Sequence, residues 1–368
     1  MQLTRRNFFR IGAATLVLPS LPLSLAAPSD SSWSFGVMAD THASTREPFY
    51  GSAIHNIAAI NAEFIRHQVD FVIQVGDLVG GGAIAEHFQA RAARNKVLEE
   101  AGIRYYPVRG NHDSENRTRA VAPYKAAFPN LPGTPGNGGS SPDLPAAAGL
   151  TYSFTHRGGK FILLDTFPML GWEDGIGNEN HQWYDGSVLR KAYTVGDYLP
   201  WIESELKKDD HQFAMVFGHK NLVGQNHKDH LFNLVYPDQT DQDALPEMQN
   251  AFFACLQRYG VRYYFSGHDH MYHRSLVKSP DGKSQIEQLI CGSAFQGFYL
   301  PKPPYSERAV PLVQETRRNG FMIVRVDDKR VRFEYYSTEL FGSEPKMPTW
   351  ERRDSFDYAI PPKSQPVS

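Results

Sequence analysis

Residues 103–113 read IRYYPVRGNHD, a stretch that predicts a buried strand with polar side chains at its end. Its first half is short and rich in aromatic and β-branched residues, which is typical of a strand inside a sheet. In its second half, Asn111 offers a carbonyl oxygen that can bind a metal, His112 offers a proton donor, and Asp113 can orient an imidazole. The alternative is a polar turn in which Asn111 and Asp113 bond to the backbone.

Four other strand-like runs end in the same kind of polar motif. Asp40-Thr41-His42 follows 33–39, Gly76-Asp77 follows 70–75, Gly218-His219 follows 212–217, and Gly267-His268-Asp269-His270 follows 262–266. Open α/β sheets bind ligands at the carboxyl ends of strands, so side chains from separate strands converge there. Taken singly, Asp77 can be a turn residue and His219 a core histidine. Such motifs in order favour a metal site, and these ligand types suit Zn, Mn, Fe, Co or Ni rather than Ca or Mg.

The remaining pattern predicts an α/β fold. Another strand-like run covers 160–166, and apolar residues recur at helical spacing over 51–67, 84–100, 197–208 and 246–258. Such alternation is typical of a sheet covered by helices. The final third is strand-like over 271–278, 285–292, 319–326 and 329–337, with a hairpin turn at Val326-Asp327-Asp328-Lys329. We therefore expect a second, mainly antiparallel sheet stacked on the first, in a layered sandwich.

The N-terminal 27 residues have the features of an export signal. Thr4-Arg5-Arg6-Asn7-Phe8-Phe9-Arg10 precedes an apolar run from Ile11 to Leu25, and small residues follow at Ala26-Ala27. The paired arginines predict a twin-arginine signal, cleavage near Ala26/Ala27, and a periplasmic or secreted protein that uses the twin-arginine export machinery. The alternative is a membrane anchor, but the run is short and interrupted by Pro19 and Pro22.

Composition narrows the class of protein. Hydrophobic residues make up 41% of the 368 residues and aromatic residues 12%, enough for one large domain. Removing residues 1–26 takes away three arginines and no acid, which changes the formal net charge from 38 − 40 = −2 to 35 − 40 = −5. A mildly acidic chain lacks the basic surface of a nucleic-acid binder, so no stable nucleic-acid binding is expected.

The mature chain is predicted to hold one domain over 28–340 and a C-terminal extension over 341–368 that ends in a frayed tail. Loop insertions are expected at about 130–149, 168–196 and 220–245. The two cysteines, Cys255 and Cys291, are either two buried thiols or one bridge, and neither has the close partner that a metal site would need.

Together, D-x-H, GD, GNHD, GH and GHDH make residues 33–277 resemble the calcineurin-like metallophosphoesterase superfamily, here as an exported bacterial member. The resemblance implies that superfamily's fold, a layered β-sandwich of two mixed sheets flanked by helices. This agrees with the strand pattern described above. The resemblance also implies two divalent or mixed-valence transition metal ions, such as Mn, Fe or Zn.

The same resemblance implies a role for each residue of the motifs. One metal would be held by Asp40, His42 and His270, and the other by Asn111, His219 and His268. Asp77 would bridge them, since a carboxylate has two oxygens and can join two cations. His112 would be a catalytic acid rather than a ligand, and Asp113 would position it.

These roles imply that a small-molecule phosphate ester is hydrolysed by a hydroxide activated by the two metals, with His112 as general acid. The motifs serve a phosphomonoesterase and a phosphodiesterase equally, and both are retained. The alternative class is a non-catalytic metal- or phosphate-binding periplasmic protein, which would be expected to have lost His112 or Asp77. A zinc peptidase is disfavoured because the sequence has no His-Glu-x-x-His motif.

Two motifs depart from those of relatives. In the purple acid phosphatase branch the first motif is Asp-x-Gly and a tyrosine stands three residues after the bridging aspartate. Here these positions hold His42 and Gly80, so an iron–tyrosinate site is not expected. The fourth motif, often Gly-His-x-Pro, reads Gly218-His219-Lys220-Asn221. Loops 168–196 and 220–245 are candidates for a lid, and their unassigned polar and aromatic side chains are His181, Trp183, Tyr184, Lys220, His227, Lys228 and His230.

Overall fold

Strand formation follows the apolar runs of the sequence. The computed structural model describes residues 32–45, 51–114, 118–144, 147–167, 195–227, 230–232, 245–295, 297–302, 307–339 and 348–360. Every strand predicted above is present, with bounds shifted by about two residues at most. The strands of the described residues are β1 (Trp33–Met38), β2 (Phe71–Val75), β3 (Arg104–Val108), β4 (Tyr152–His156), β5 (Gly159–Leu164), β6 (Phe213–Gly218), β7 (Tyr263–Ser266), β8 (Tyr272–Lys278), β9 (Gln285–Cys291), β10 (Ala309–Glu315), β11 (Arg318–Val326), β12 (Arg330–Glu339) and β13 (Glu351–Ala359).

The predicted helices lie where the apolar spacing places them, except that one of them is divided into two. The helices of the described residues are α1 (Gly51–Arg66), α2 (Ala85–Ala93), α3 (Lys96–Glu100), α4 (Thr118–Ala127), α5 (Leu199–Leu206) and α6 (Pro246–Arg258). The single helix predicted over 84–100 is two helices, which divide around Asn95. The Asn95 carboxamide oxygen accepts a hydrogen bond from Arg91 Nη1 at 2.6 Å. Asparagine disfavours a helix interior because its side chain offers such local bonds.

Two mixed sheets form the centre of the fold. The first has the strand order β13-β12-β11-β1-β2-β3, and β1, β2 and β3 are parallel. The second has the order β10-β8-β9-β7-β6-β5-β4, in which β5, β6, β7 and β9 are parallel. Parallel neighbours end at the same edge, so each sheet presents a row of carboxyl ends.

The expectation that the strands of the final third form a second sheet of their own is wrong. Strands β11 to β13 extend the first sheet next to β1, and β8 to β10 extend the second. The predicted turn does join a hairpin, since β11 and β12 are antiparallel with Val326 opposite Val331. Alternating apolar residues define the buried face of a strand but not its neighbour, which depends on contacts between distant segments.

Three buried apolar layers explain the packing. A large aromatic cluster fills the space between the sheets, where Phe35 stacks on Phe71 at 5.1 Å and Tyr272 stacks on Tyr335 at 3.7 Å between ring centroids. A second cluster lies between α5, α6 and the second sheet, and a third lies between α1, α3 and the first. The fold is therefore a layered β-sandwich of two mixed sheets flanked by helices, as predicted.

Three strands and one helix lie where no element was predicted: β4, β10, β13 and α4. Strand β13 falls within the predicted C-terminal extension and pairs with β12 as the edge of the first sheet, with Phe333 opposite Phe356. Its sequence, ERRDSFDYA, is mostly charged and exposed, so it lacks the apolar run that identifies a buried strand.

Both cysteines are buried as free thiols. Cys255 belongs to the cluster between the helices and the second sheet, and Cys291 belongs to the cluster between the sheets. The predicted export signal, the predicted tail over 361–368 and most of loops 168–196 and 220–245 lie outside the described residues. Within the described ranges, none of the helices has the length and apolar character required to span a bilayer.

Candidate metal centre

All nine predicted site residues lie at the carboxyl ends of five parallel strands. Strands β1, β2 and β3 of the first sheet and β6 and β7 of the second end beside one another, and these ends carry Asp40, His42, Asp77, Asn111, His112, Asp113, His219, His268 and His270. Asn111 and His112 are partly exposed, and the other seven are buried. The structure thus brings the predicted residues together at one edge of the sandwich.

The first group of candidate ligands consists of Asp40, His42, Asp77 and His270, whose ligand atoms all lie within 4.8 Å of one another. Nε2 of His42 lies 3.1 Å from Nε2 of His270 and 3.5 Å from Oδ2 of Asp77. Nε2 of His270 lies 3.5 Å from Oδ1 of Asp40. Two imidazole nitrogens and two carboxylates that point at one spot form a donor set suited to a transition metal.

The second group lies on the other side of Asp77. Nε2 of His219 is 3.1 Å from Oδ1 of Asn111 and 3.4 Å from Oδ2 of Asp77. The rings of His219 and His268 are 5.0 Å apart. Oδ2 of Asp77 therefore lies between the two groups, at similar distances from a histidine of each.

One carboxylate oxygen in the site is suited to bind a cation. Oδ2 of Asp40 is buried and has no hydrogen-bond partner among the described residues. The other carboxylate oxygen of Asp40, Oδ1, accepts a hydrogen bond from the backbone N–H of His268 at 3.0 Å. A buried carboxylate oxygen without a donor is costly, and a bound cation would satisfy it.

The backbone around the site is strained. Asp40, His42, Asp77, His268 and His270 all have positive φ, between 36° and 72°. Residues other than glycine adopt this left-handed region rarely and at a cost of roughly 1 kcal/mol or more each. Five candidate ligands share it, so the fold holds these side chains in place at the expense of local stability.

Glycines before the ligands permit this crowding. At Gly76, which has φ of 83°, a Cβ atom would collide with the imidazole of His219, and at Gly110 it would collide with the carboxylate of Asp77. The pairing of glycine with the next ligand in the motifs is therefore a requirement for close approach.

Burial and neighbouring charges act on the two carboxylates in opposite directions. Burial raises the pKa of Asp40 well above its usual value, and the charge of His219 offsets only part of this effect. Burial also acts on Asp77, but the charges of His219 and His112 hold the pKa of that carboxyl well below its usual value. Burial disfavours the charged form of His219, yet the Asp77 carboxylate raises the pKa of this histidine to about 10. The charges of the two carboxylates and His219 therefore depend strongly on one another, as expected of groups that share one buried site.

Two candidate ligands are held in the neutral form that binds metals. Burial lowers the pKa of His42 well below its usual value and lowers the pKa of His270 to about 3. Nδ1 of His219 lies 2.9 Å from the carbonyl oxygen of Val75, and Nδ1 of His270 contacts the carbonyl oxygen of Gly297. The Gly297 carbonyl fixes the tautomer of neutral His270, so that its Nε2 is free to bind, and the Val75 carbonyl orients the His219 ring with Nε2 toward Asn111 and Asp77.

His112 and Asp113 are adjacent in the chain but make different contacts. The backbone N–H of His112 donates to Oδ1 of Asp77 at 2.9 Å, and its ring lies 4.7 Å from that of His42. The Asp113 carboxylate accepts backbone N–H groups of Gly110, Leu78 and Val79 at 2.8 to 3.0 Å. Asp113 therefore acts on the loop that carries Asn111 and His112.

Asp269 lies in the last motif between two candidate ligands, and the structure shows that it holds the neighbouring loop in place. Its buried carboxylate accepts a hydrogen bond from Asn221 Nδ2 at 2.9 Å and the backbone N–H of Asn226 and His227 at 3.0 and 2.9 Å. It also pairs with Nδ1 of His227 at 2.7 Å, and the His227 ring stacks on His268 at 4.0 Å. His227 belongs to the loop residues that the sequence leaves unassigned, because no sequence pattern links it to Asp269.

The segment after β9 also borders the candidate metal centre, although the sequence does not predict this. Its residues Phe295, Gly297 and Tyr299 contact candidate ligands, with Phe295 4.6 Å from His42 and Tyr299 4.7 Å from His270 between ring centroids. The stretch SAFQGFYL contains no motif that marks it as part of a site. Of the other loop candidates, His181, Trp183, Tyr184 and Lys228 lie outside the described residues.

Comparison with known proteins agrees with this fold. A purple acid phosphatase from yellow lupin (Lupinus luteus) seeds has a similar fold, with a TM-score of 0.57 and 13% identity over 92% of this chain and 58% of that one. PhoD aligns with a TM-score of 0.56 and 13% identity over 89% of this chain and 70% of that one. A dimetal phosphatase from Danio rerio aligns with a TM-score of 0.50 and 14% identity over 89% and 99%.

These identities are low, and the structural likeness shows the fold alone. A search of the curated proteins finds no significant sequence match. The family model for calcineurin-like phosphoesterases matches residues 34–272, a span that includes every candidate ligand and well over half of the chain. The chain therefore belongs to the calcineurin-like phosphoesterase family and is a metallophosphoesterase.

Proposed function

We propose that this protein is an exported hydrolase of small-molecule phosphate esters with a two-metal centre. The observation that carries the proposal is the position of Oδ2 of Asp77, 3.5 Å from Nε2 of His42 and 3.4 Å from Nε2 of His219. One buried carboxylate oxygen between two groups of ligands is the arrangement that a bridged pair of cations needs.

The candidate ligands divide into the two groups described above. Asp40, His42 and His270 would hold one metal, Asn111, His219 and His268 would hold the other, and Asp77 would contact both. Two bound transition metal ions, such as Mn, Fe or Zn, would neutralise charge on the phosphate and lower the pKa of a water molecule. The protein's own part is to position these ligands rigidly and to supply a proton to the leaving group.

His112 is the proposed source of that proton. Its ring lies 4.7 Å from His42, at the partly exposed rim of the site, where the organic part of a substrate must enter. The charges of His219 and His112 hold the pKa of the nearby Asp77 carboxyl well below its usual value, although burial opposes them. A positioned imidazolium can donate to the leaving oxygen as the ester bond breaks. Asp113 would position His112 through the loop backbone that it binds.

Metal analysis and an ester panel on the purified protein test this function. We expect about two transition metal ions per chain, activity that a chelator removes, and recovery when Mn, Fe or Zn is restored. Comparison of p-nitrophenyl phosphate with bis-p-nitrophenyl phosphate separates a phosphomonoesterase from a phosphodiesterase. Fully loaded protein without turnover on either ester, or on an alkyl ester, would instead indicate a non-catalytic metal- or phosphate-binding protein.

The proposed periplasmic or secreted location depends on the N-terminal sequence. Arg5-Arg6 precedes an apolar run and a small-residue cleavage site, as in signals that the twin-arginine export machinery recognises. Replacing both arginines with lysine should keep the precursor, and its activity, in the cytoplasm. Unchanged export of that variant, or a mature protein that retains residues 1–26, would contradict this part of the proposal.

A further inference from the structure

Two aromatic side chains beside the metal centre have no part in the proposed function. Phe295 and Tyr299 follow β9, and we call them the aromatic wall. The Phe295 ring centroid lies 4.6 Å from that of His42, and the Tyr299 centroid lies 4.7 Å from that of His270 and 4.8 Å from that of His227. The wall thus adjoins histidines on both sides of the site.

The aromatic wall is not part of the core. Both rings are partly exposed, and neither belongs to the three buried hydrophobic clusters. Most large apolar side chains of the described residues are buried in those clusters. Aromatic surface that stays accessible beside a polar site is typical of a ligand-binding wall.

Hydrogen bonds fasten the segment that carries the wall at both ends. Before it, the backbone N–H of Ala294 donates to Ala39 at 3.1 Å, and Asn319 Nδ2 donates to the carbonyl oxygen of Phe295 at 3.2 Å. After it, Asn226 Nδ2 donates to the carbonyl oxygen of Leu300 at 2.7 Å. A wall held in this way is preorganised, so binding against it requires little ordering of the protein.

Support for His270 does not require the two rings. The contact that orients the His270 imidazole is made by the backbone carbonyl of Gly297, which any side chains at positions 295 and 299 would leave in place. Packing against His42 and His270 could equally be achieved by aliphatic residues. The choice of two aromatic residues therefore points to what lies against them.

We propose that the aromatic wall binds a flat aromatic group on the organic side of the ester. This inference rests on the proposed function, because it assumes that the phosphate lies between His42 and His219, and it adds the class of ester. A ring attached within a few bonds of the phosphorus would reach Phe295 and Tyr299 and pack against them by offset or edge contact. Alkyl esters would bind through the phosphate alone.

Direct binding of two phosphonates to the metal-loaded full chain tests the inference. Phenylphosphonate and methylphosphonate have the same anionic group and are not hydrolysed, so calorimetry measures their affinities without turnover. We expect the unaltered protein to bind phenylphosphonate about tenfold or more tightly than methylphosphonate. Tyr299→Leu should lose most of this preference while its affinity for methylphosphonate changes less than about twofold, and Tyr299→Phe should retain the preference.

Phe295→Leu provides a second variant should Tyr299→Leu fail to fold, and Tyr259→Leu provides the control. Tyr259 is partly buried and precedes β7 at the end remote from His268, so this variant should keep both affinities. Equal affinities for the two phosphonates, or equal losses for both in the wall variants, would overturn the inference. If the protein hydrolyses esters but does not prefer phenylphosphonate, only the inference about the aromatic wall is wrong. If it prefers phenylphosphonate but hydrolyses no ester, only the proposed hydrolase function is wrong.

Discussion

Each end of strand β2 carries an aspartate, and the two carboxylates are held in opposite ways. Asp70 precedes the strand, its side chain is 29% exposed, and it lies 2.7 Å from Nε2 of His156. Asp77 follows the strand, its side chain is 2% exposed, and its Oδ2 lies between His42 and His219. The first is an ordinary, partly exposed hydrogen-bonded pair, and the second is a buried carboxylate surrounded by several imidazoles.

The end of the sandwich around Asp77 has features that serve chemistry, and the end around Asp70 has features that serve stability. Around Asp77 the backbone has five candidate ligands with positive φ, and Oδ2 of Asp40 has no partner among the described residues. Such features cost stability and are retained where a site must be preorganised. Around Asp70 the carboxylate is satisfied by a partner that tolerates solvent. Substitutions around Asp77 should therefore lower activity, whereas substitutions around Asp70 should lower stability slightly and leave activity unchanged.

The largest effect is expected from Asp77→Asn. Losing the shared negative charge should deplete both metals and lower turnover roughly 10⁴-fold or more, since bound metals supply several kcal/mol of transition-state stabilisation. Metal content by plasma emission spectrometry and turnover of a phosphate ester measure the two effects. Asp70→Asn is the matched control, and a normal metal count in Asp77→Asn would remove Asp77 from its bridging position.

His112→Ala should separate catalysis from metal binding. We expect turnover to fall roughly 10²–10⁴-fold with the metals retained, because a general acid contributes on this scale and the ring is not among the candidate ligands. An ester with a better leaving group, which needs less protonation, should be affected less. His156→Ala, at the other end of the sheet, should leave turnover unchanged. Loss of metal from His112→Ala would show that the ligand assignment is wrong.

Asp269→Asn should have a smaller effect on the metal centre, because Asp269 holds His227, whose ring stacks on His268. The variant keeps the volume but loses the negative charge that holds His227 and the backbone of Asn226. We expect metal affinity or turnover to fall about 10- to 100-fold, as for other residues that support a ligand. Titration of the stripped protein with metal measures the affinity, and unchanged values would show that the stacked His227 is dispensable.

His273 extends the comparison to stability, because it is a buried histidine outside the proposed ligand groups. Its ring nitrogens have no hydrogen-bond partners among the described residues, and burial lowers its pKa to about 4. Below pH 6.5 the unfolded chain takes up a proton that the folded chain resists until about pH 4. Stability should therefore fall by up to about 3 kcal/mol as the pH drops through this window.

His273→Leu should flatten that decline relative to the unaltered protein. Urea unfolding at several pH values between 7 and 4 gives the free energies, and the difference between the two proteins isolates the contribution of His273 from acid release of metals. An identical pH dependence in both proteins would show that His273 is not the titrating group.

The smallest effect is expected from Asp70→Asn itself. Its pair with His156 is partly solvent-exposed, and pairs of this kind contribute about 1 kcal/mol or less. We expect a small decrease in the free energy of unfolding and no change in turnover or metal content. A large loss of activity would contradict the assignment of this end of the sandwich to stability.

Much of the fold and the candidate site followed from local patterns. The apolar runs located strands such as β2 and β3 because a buried strand must be apolar whatever its neighbours. The glycine–ligand pairs marked Asp77, Asn111 and His219 because crowding at those points excludes any side chain before them. Strand β13 escaped notice because an exposed edge strand needs no apolar run.

The sequence by itself determined most of the strands and helices and the nine polar residues at strand ends, since each of these depends on neighbours in the chain. Only the tertiary structure decided that β11 lies beside β1, that Asp269 binds His227, and that Phe295 and Tyr299 border the centre. Those contacts join segments far apart in the chain. They depend on which faces and edges fit together when the whole domain packs, and local spacing carries no record of that.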